Sequence, residues 1–577
     1  MELFSLIKRE VEEPLRPLFI FITISGIASA FMISLINTAA ENTSNSELNS
    51  RIFLLFIVGI SLVILTKKYV LDRSVLIVEA VMERLRNRIA EQVRHTELNI
   101  LESVGASSIR SRLNEDAIVI SNTASNLVAG MQGAIMLIFT VLYIGTISLY
   151  SFAMVVGAFV IAFSYYFFFL KYFRTTWKKI SYIETSFYSK VGHIIRGFKE
   201  MKINRRKNEG VFDNYKDVNH AMKESRVDVF LNYNKFLIFT QALFFILLGI
   251  ILFIIPHFHA EHSEDVIKVT ASILFIIGPF EGLITSIRYL DNANNSARNI
   301  LRLEGQLLEE LRKNNLTAEN PTQPEQFNEL PFAENIQLQR LSYAYPPIES
   351  SDHVFKVGPI DLTIVKGELI FITGGNGSGK STFLKLLTGL YPPDSGRLAI
   401  DVEEDGTPLT VVSARNAQQY RNLFTTIFTD FHLFDKLYGV EHIDVNKVNE
   451  VLVAMELSAD KVAYRDDAFT TLRLSSGQQK RLALTTSIIE DKPIYVFDEV
   501  AADLDPGFRD KFYYEILPQL KKDGKTVIVV SHDKHYWTQP DRLLEMSGGG
   551  IKELSREDID RLLAIERRTN GNNNKKD

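Results

Sequence analysis

The chain has no cysteine. Disulfides, thiolate metal sites and cysteine catalysis are therefore excluded outright. A strong charge of either sign is also missing: the formal net charge is −5, too mild to hold a nucleic acid by bulk electrostatics. Local absences say more. No Asp, Glu, Lys or Arg occurs from Pro17 to Ala40, and none occurs over the 54 residues from Ala117 to Leu170. The 46% hydrophobic share is an average over a greasy first half and a soluble second half. At 577 residues the chain is too long for one domain, and two or three units are expected.

A helix rises about 1.5 Å per residue and needs roughly 20 apolar residues to cross a bilayer. Six stretches qualify, at about 17–38, 52–71, 127–148, 151–172, 236–256 and 267–288. The third and fourth share one uncharged run and form a hairpin that turns near Ser148-Leu149-Tyr150-Ser151. The first is too long for a signal peptide and no small-residue cleavage pattern follows it. Orientation follows from the basic residues. Stretches 67–116 and 174–235 hold nine and fourteen Lys/Arg, whereas 38–51, 148–151 and 257–265 hold only Arg51. The basic stretches, with both termini, are placed in the cytoplasm of a multi-pass protein of the cytoplasmic (inner) membrane. Their helical patterning, as in Val81–Ile89, reads as membrane helices prolonged beyond the bilayer.

Glu281, in Gly278-Pro279-Phe280-Glu281-Gly282, is the one acidic side chain within the six spans, whose few basic residues, Lys67, Lys68, Lys171, Lys268 and Arg288, lie at their ends. A carboxylate at that depth is costly and faces a wet cavity or a partner. Two readings stay open: it lines a substrate path, or it pairs locally beside a Gly-Pro break in the helix. The loop His257–Asp265 holds enough His and acid to bind a metal, but reads better as a solvated polar loop. Asn314-Asn315 and prolines 321, 324 and 331 mark a linker, which divides the chain into a transmembrane domain over 1–325 and a second domain over 326–577 with a disordered C-terminal tail.

The second domain reads as α/β and centres on Gly374-Gly375-Asn376-Gly377-Ser378-Gly379-Lys380-Ser381-Thr382. This fits the phosphate-loop pattern G-x-x-x-x-G-K-[ST] in full. Successive backbone N–H groups line a polyphosphate only where few side chains block the approach, which accounts for the glycines. An apolar strand, Leu369–Ile372, precedes the loop and a helix follows it. Lys380 would reach the β- and γ-phosphates, and the Ser381 hydroxyl would hold Mg²⁺. Ile494–Phe497 is a second apolar strand, which delivers Asp498 and Glu499 at its end. Beside a phosphate loop, Asp498 can hold the Mg²⁺ shell and Glu499 can polarise the attacking water. Thr526–Val530 is a third strand and ends in Ser531-His532-Asp533, bringing His532 toward the γ-phosphate.

Between these strands lies Leu474-Ser475-Ser476-Gly477-Gln478, followed by a helical run. Such an LSGGQ-type signature between a phosphate loop and a carboxylate-ending strand resembles the ATP-binding-cassette (ABC) ATPases. The resemblance implies that Ser475, Gly477 and Gln478 cap the γ-phosphate of ATP held by a second copy of the chain. It also implies that Tyr345 stacks on adenine and that Ala502-Asp503-Leu504-Asp505 joins the two half-sites. Six spans ahead of one cassette look like an exporter half-transporter, an α-helical six-span transmembrane domain followed by an α/β phosphate-loop domain. Gly358–Leu362, Phe428–Asp435, Asp498–Asp503 and Ser531–Asp533 leading to Tyr536 look like the cyclic-peptide and siderophore branch, which includes exporters of pyoverdine precursors and lasso-peptide microcins. Two departures stand out. Thr429 occupies the position where exporters carry glutamine, which leaves Asp430 to reach the metal, and Asp466–Thr471 replaces the T-x-V-G-E pattern. The expected function is ATP-driven export of a peptide or peptide-like compound by a homodimer, with ATP and Mg²⁺ as cofactors and no nucleic acid. A lipid flippase or multidrug exporter is the alternative, and an ATP-gated channel or sensor a more distant one.

Overall fold

Within a bilayer no water is present to hydrogen-bond the backbone, so uncharged runs of this length must satisfy their own amides as helices. The computed structural model describes residues 2–42, 50–254, 263–313, 330, 332, 334–346, 354–400, 410–413 and 415–573. Its contacts form two units: Met1–Glu91 with Ser107–Glu304, and Gln92–Ala106 with Gly305–Asp577. Positions 314–329, where the linker and the boundary near 325 were placed, lie outside the described residues, as do loop residues 257–262 and the tail 574–577.

Among its described residues the regular elements of the first unit are all helices, and two of them, Ser50–His95 and Ser263–Lys313, run on past its bounds. The unit comprises α1 (Glu2–Glu10), α2 (Arg16–Asn42), α3 (Ser50–His95), α5 (Ala106–Ser111), α6 (Ala117–Ile147), α7 (Leu149–Arg196), α8 (Phe198–Ile203), α9 (Arg205–Gly249) and α10 (Ser263–Lys313), while α4 (Leu98–Val104) falls in the second unit. Among the described residues, six helices are long and apolar enough to cross a membrane. Helices α3, α7 and α9 run for 46, 48 and 45 residues, about twice what a bilayer requires. Ser148 ends α6 and its hydroxyl accepts from the Ser151 amide at 3.3 Å, capping α7, so the hairpin turns within a single residue.

Packing uses glycine and aromatics. A Cβ on Gly133 would stand 3.0 Å from the Pro279 carbonyl oxygen, and one on Gly130 would overlap the Ser286 hydroxyl. The small residues let α6 approach α10 closely, where van der Waals contact is the main attraction between helices in lipid. Phe159, Phe244 and Phe280 form an aromatic core with centroids 5.4–5.5 Å apart. The buried Asn37 amide donates to Ser272 Oγ and the Lys268 carbonyl, both at 3.1 Å, tying α2 to α10. The expected Gly-Pro break is not present. Pro279 lies inside α10 and the helix runs on through it, because neighbouring helices supply the packing that offsets one missing amide. Glu281 accepts a hydrogen bond from Gln241 Nε2 at 2.6 Å.

At the N-terminus, charges replace grease. Glu304 is 3% exposed; it accepts from Arg9 Nη2 at 2.6 Å and forms an ion pair with Arg88 Nε at 2.8 Å. Arg88 also pairs with the buried Glu10. Next along the chain, Glu12 meets Arg84 at 2.9 Å and Glu13 meets Arg73 at 2.5 Å. The N-terminal segment is thus bound along α3 by one row of arginines.

The second unit is α/β. Its main sheet has the order β12-β11-β3-β10-β9-β6, from β3 (Leu369–Gly374), β6 (Phe424–Ile427), β9 (Ile494–Asp498), β10 (Thr526–Val530), β11 (Arg542–Ser547) and β12 (Gly550–Leu554). All but β12 are parallel. Strands β3, β9 and β10 are almost continuously apolar and buried, as a sheet covered on both faces requires. A four-stranded sheet, β2-β1-β4-β5, adds β1 (Asn335–Ala344), β2 (Lys356–Val365), β4 (Ser395–Ile400) and β5 (Thr410–Val411). Where the T-x-V-G-E pattern is lacking, β7 (Tyr464–Arg465) and β8 (Ala468–Phe469) form a hairpin. Asp466 and Asp467 turn it with φ of 51° and 58°, the double positive φ of a type I′ turn.

Sequence reasoning grouped all of 1–325 together, but Gln92–Ala106 clusters with the second unit. Glu97 pairs with Arg421 at 2.6 Å, Glu102 pairs with Lys385 at 2.8 Å, and Leu98 packs on the core beside β1 and β2.

Removing the shared acceptor Glu304 strands two guanidinium groups that are partly exposed. Glu304→Ala is expected to cost about 2 kcal/mol, read as a lower thermal unfolding midpoint of the purified full-length protein. Adding Arg88→Ala to that variant should cost less than Arg88→Ala alone, because the Glu304 pair is already broken and only the pair of Arg88 with Glu10 is left to lose.

Candidate functional site

The phosphate-loop glycines serve two different purposes. Gly374 has φ +148°, and a Cβ there would lie 2.2 Å from the Met546 carbonyl oxygen, so β11 leaves room for nothing larger. Gly377 and Gly379 have φ of +74° and +106°, left-handed conformations that turn the loop into the next helix. That helix, α11 (Lys380–Leu387), starts at the loop and presents its N-terminal amides to an anion. Asn376 occupies the loop's exposed crest. The Lys380 ammonium, 7% exposed, donates to the Gly374 and Gly375 carbonyls at 3.0 and 3.1 Å, so it lies directly over the loop.

Parallel pairing brings the other candidates to the same level. Val530 is in register with both Ile372 and Asp498, so β3, β9 and β10 end together. Asp498 Oδ2 accepts from Ser381 Oγ at 2.9 Å. Burial raises the Asp498 carboxyl above the ordinary range; Ser381 opposes this, the charges of Glu499 and Asp430 add to it, and Lys380 lowers it. Two buried polar atoms lack a hydrogen-bond partner here, Asp498 Oδ1 and Ser378 Oγ. An acidic oxygen without a donor, next to a hydroxyl and a lysine-lined loop, suits a divalent cation beside a phosphate. Ser381, Asp498 and Asp430 are the residues that could hold it. Among the described residues, no group of three or more His, Cys, Asp or Glu is placed to hold a metal ion by itself.

Glu499 adopts the left-handed conformation, φ 53°, which swings its side chain away from the strand direction. His532 Nε2 lies 3.0 Å from Glu499 Oε1. Tyr345 reaches the same loop, its hydroxyl 3.0 Å from Thr382 Oγ1. Lys380, Ser381, Thr382, Asp498, Glu499, His532 and Tyr345 are thus brought together.

The signature residues make different contacts. Ser475 caps α12 (Ser476–Glu490) in a reciprocal pair with Gln478, a capping box. A Cβ on Gly477 would stand 2.9 Å from the Asp503 carbonyl oxygen, so the signature abuts the loop after β9. Sequence reasoning missed Lys480. This buried ammonium donates to the Glu499 carbonyl at 3.0 Å and pairs with Asp503 at 2.9 Å. Its place three residues after Gly477, on the same helical face, was the available signal.

A phosphate loop, an acidic strand end and a capped signature helix on one parallel sheet define an ATP-hydrolysing motor, here fused to six apolar helices. That class is the ATP-driven membrane transporters. Residues 357–502 match the family described as ABC transporter. ATP-binding protein SyrD of Pseudomonas syringae pv. syringae is 31% identical over 547 residues, 92% of this chain and 92% of the relative. The "Probable syringafactin export ATP-binding/permease protein SyfD" of Pseudomonas syringae pv. syringae (strain B728a) is 32% identical over 205 residues, 33% of this chain and 30% of that one. Among solved structures, a bacterial Atm1-family ABC exporter with ATP bound has the same fold, with TM-score 0.70 and 15% identity over 95% of this chain and 97% of that chain. The chain belongs to the ABC transporter family. It is a multi-pass membrane protein whose nucleotide-binding ATPase drives export.

Gly374→Ala is expected to lower ATP affinity at least tenfold in a fluorescent-nucleotide titration, because β11 and the loop must separate to admit the methyl group. Gly375, with nothing within 4 Å of an added Cβ, is the control. Gly375→Ala should bind within a few-fold of the unmodified protein.

Proposed function

We propose that the chain exports a peptide or peptide-like compound, such as a cyclic peptide, siderophore precursor or microcin, across the cytoplasmic membrane as a homodimer. The observation that carries this reading is the near full-length likeness to SyrD in a chain with one complete phosphate loop and one signature. One loop and one signature whose contacts differ make half of two sites, which a second copy of the chain would complete. Peptide cargo is supported by the sequence stretches shared with the peptide and siderophore branch and by the export named for SyfD. The excess of Lys/Arg in 67–116 and 174–235 supports cytoplasmic termini.

In this mechanism Tyr345 stacks on the base, and the loop amides of Gly374–Gly379 with Lys380 hold the phosphates. Ser381, Asp498 and Asp430 would hold Mg²⁺, which offsets charge on the phosphate oxygens. Glu499 takes a proton from water as it attacks the γ-phosphorus, the β–γ bridging oxygen leaves with the cleaved bond's electrons, and the hydrogen bond to His532 fixes the carboxylate's direction. Ser475, Gly477 and Gln478 of the partner copy close the site at a helix N-terminus. Within the membrane, Glu281 and Gln241 form a polar pair on the cargo path.

Glu499→Gln should retain ATP binding while hydrolysis falls at least a hundredfold; unchanged turnover would remove Glu499 as the base. Glu281→Gln should change export in a vesicle assay with basal ATPase activity within about twofold. For cargo, ATPase activity of the lipid-reconstituted protein is titrated with cyclic and linear peptides. Saturable stimulation by peptides supports the proposal, whereas stimulation only by lipids or unrelated drugs supports a flippase or multidrug exporter.

A further inference from the structure

A chain of contacts runs from α4 to the base side of the nucleotide site, and its members lie in one compact unit. Glu102, on α4, accepts from Lys385 Nζ at 2.8 Å and from the Tyr391 hydroxyl. Lys385 also lies 3.3 Å from the Tyr391 hydroxyl and 5.0 Å from its ring centroid. Tyr391 is 1% exposed. Its ring centroid is 4.8 Å from that of Tyr343 and 6.2 Å, edge-on, from that of Tyr345. Tyr343 in turn meets Tyr345 edge-on at 5.3 Å. Tyr345 completes the circuit through its hydroxyl to Thr382, on the same helix as Lys385. Burial, with the Glu102 contact second, pushes the Tyr391 phenol well above its ordinary value, so it stays protonated and donating at neutral pH.

Three mutually packed tyrosines, with Tyr345 edge-on to both of the others, have little choice of rotamer. Glu102 sets the Tyr391 ring, and the Tyr391 ring sets the other two. We propose that Glu102 is a positioning residue for the nucleotide base: through Tyr391 it fixes the ring of Tyr345 over the adenine site. The inference rests on the reading that Tyr345 stacks on the base. Because such coupling is reciprocal, base binding also tightens the hold on α4, so the base strengthens the grip on this cytosolic helix independently of the phosphates.

The test uses full-length protein in lipid, measuring KM and kcat for ATP and, by competition, the affinity for inorganic triphosphate, which has no base. Glu102→Ala and Tyr391→Phe should each raise the KM for ATP about fivefold, leave kcat within twofold and leave triphosphate affinity unchanged. The double variant should be no worse than either single one. Glu102→Gln, which still accepts from the tyrosine hydroxyl, should restore a normal KM. Tyr345→Ala separates the two layers of the argument. If it changes neither KM nor the ATP-to-triphosphate ratio, the base-stacking reading fails. If it changes both while Glu102→Ala and Tyr391→Phe change neither, the positioning role of Glu102 is overturned and the stacking reading stands. A loss confined to kcat, or equal losses for ATP and triphosphate, would also overturn the positioning role.

Discussion

The alignment of Val530 with Ile372 on one side and Asp498 on the other is the constraint on which the nucleotide site depends. Parallel hydrogen bonding fixes those partners, and a slip of one residue would turn every side chain of the strand to the opposite face of the sheet. With the register set, Ile372, Asp498 and Val530 stand at one level, the phosphate loop starts two residues on, and Ser381 can reach the carboxylate across 2.9 Å. The apolar strands are therefore positioning devices as much as they are core. Their burial also raises the Asp498 carboxyl, since the same dry sheet that sets the geometry withholds solvent from the charge.

The membrane unit obeys a different rule, because packing there cannot draw on the removal of apolar surface from water. Close approach at Gly130 and Gly133, the Asn37 amide and the phenylalanine cluster around Phe280 supply contact instead. Polar side chains of these helices bond across to one another: Asn37 with Ser272, Gln132 with Ser25 at 2.8 Å, Gln241 with Glu281. Away from the apolar stretches charge returns, and Glu10 and Glu304 are held among Arg9 and Arg88.

How much of this was legible in the sequence follows from the range of the interactions. The phosphate loop, the strand ends at Asp498 and Val530 and the one-residue hairpin at Ser148 are local patterns, and each lies where its residues imply. The charge-free runs read directly as helices because lipid permits no alternative. Pro279 misled because its cost in a helix interior is offset by neighbours that no single segment reveals. The grouping of Gln92–Ala106 with the nucleotide unit depends on Glu97 with Arg421 and Glu102 with Lys385, partners more than 280 residues apart in sequence. Charged residues in a basic stretch look like solvated surface until the fold supplies the opposing side chain. Lys480 was hidden for a similar reason, since a lysine in a polar helix gives no sign that it is buried.

That lysine changes how the motifs should be counted. The sequence presents three separate pieces: the acidic strand end, the loop after it and the signature helix. One ammonium grips the Glu499 carbonyl and the Asp503 carboxylate, and Gly477 leaves no space between its own helix and the Asp503 backbone. Displacement at any of the three is displacement at all of them. In mechanical terms the ATPase edge has one moving part where the alphabet shows three, and a loose joint between Glu499 and the signature helix has been designed out.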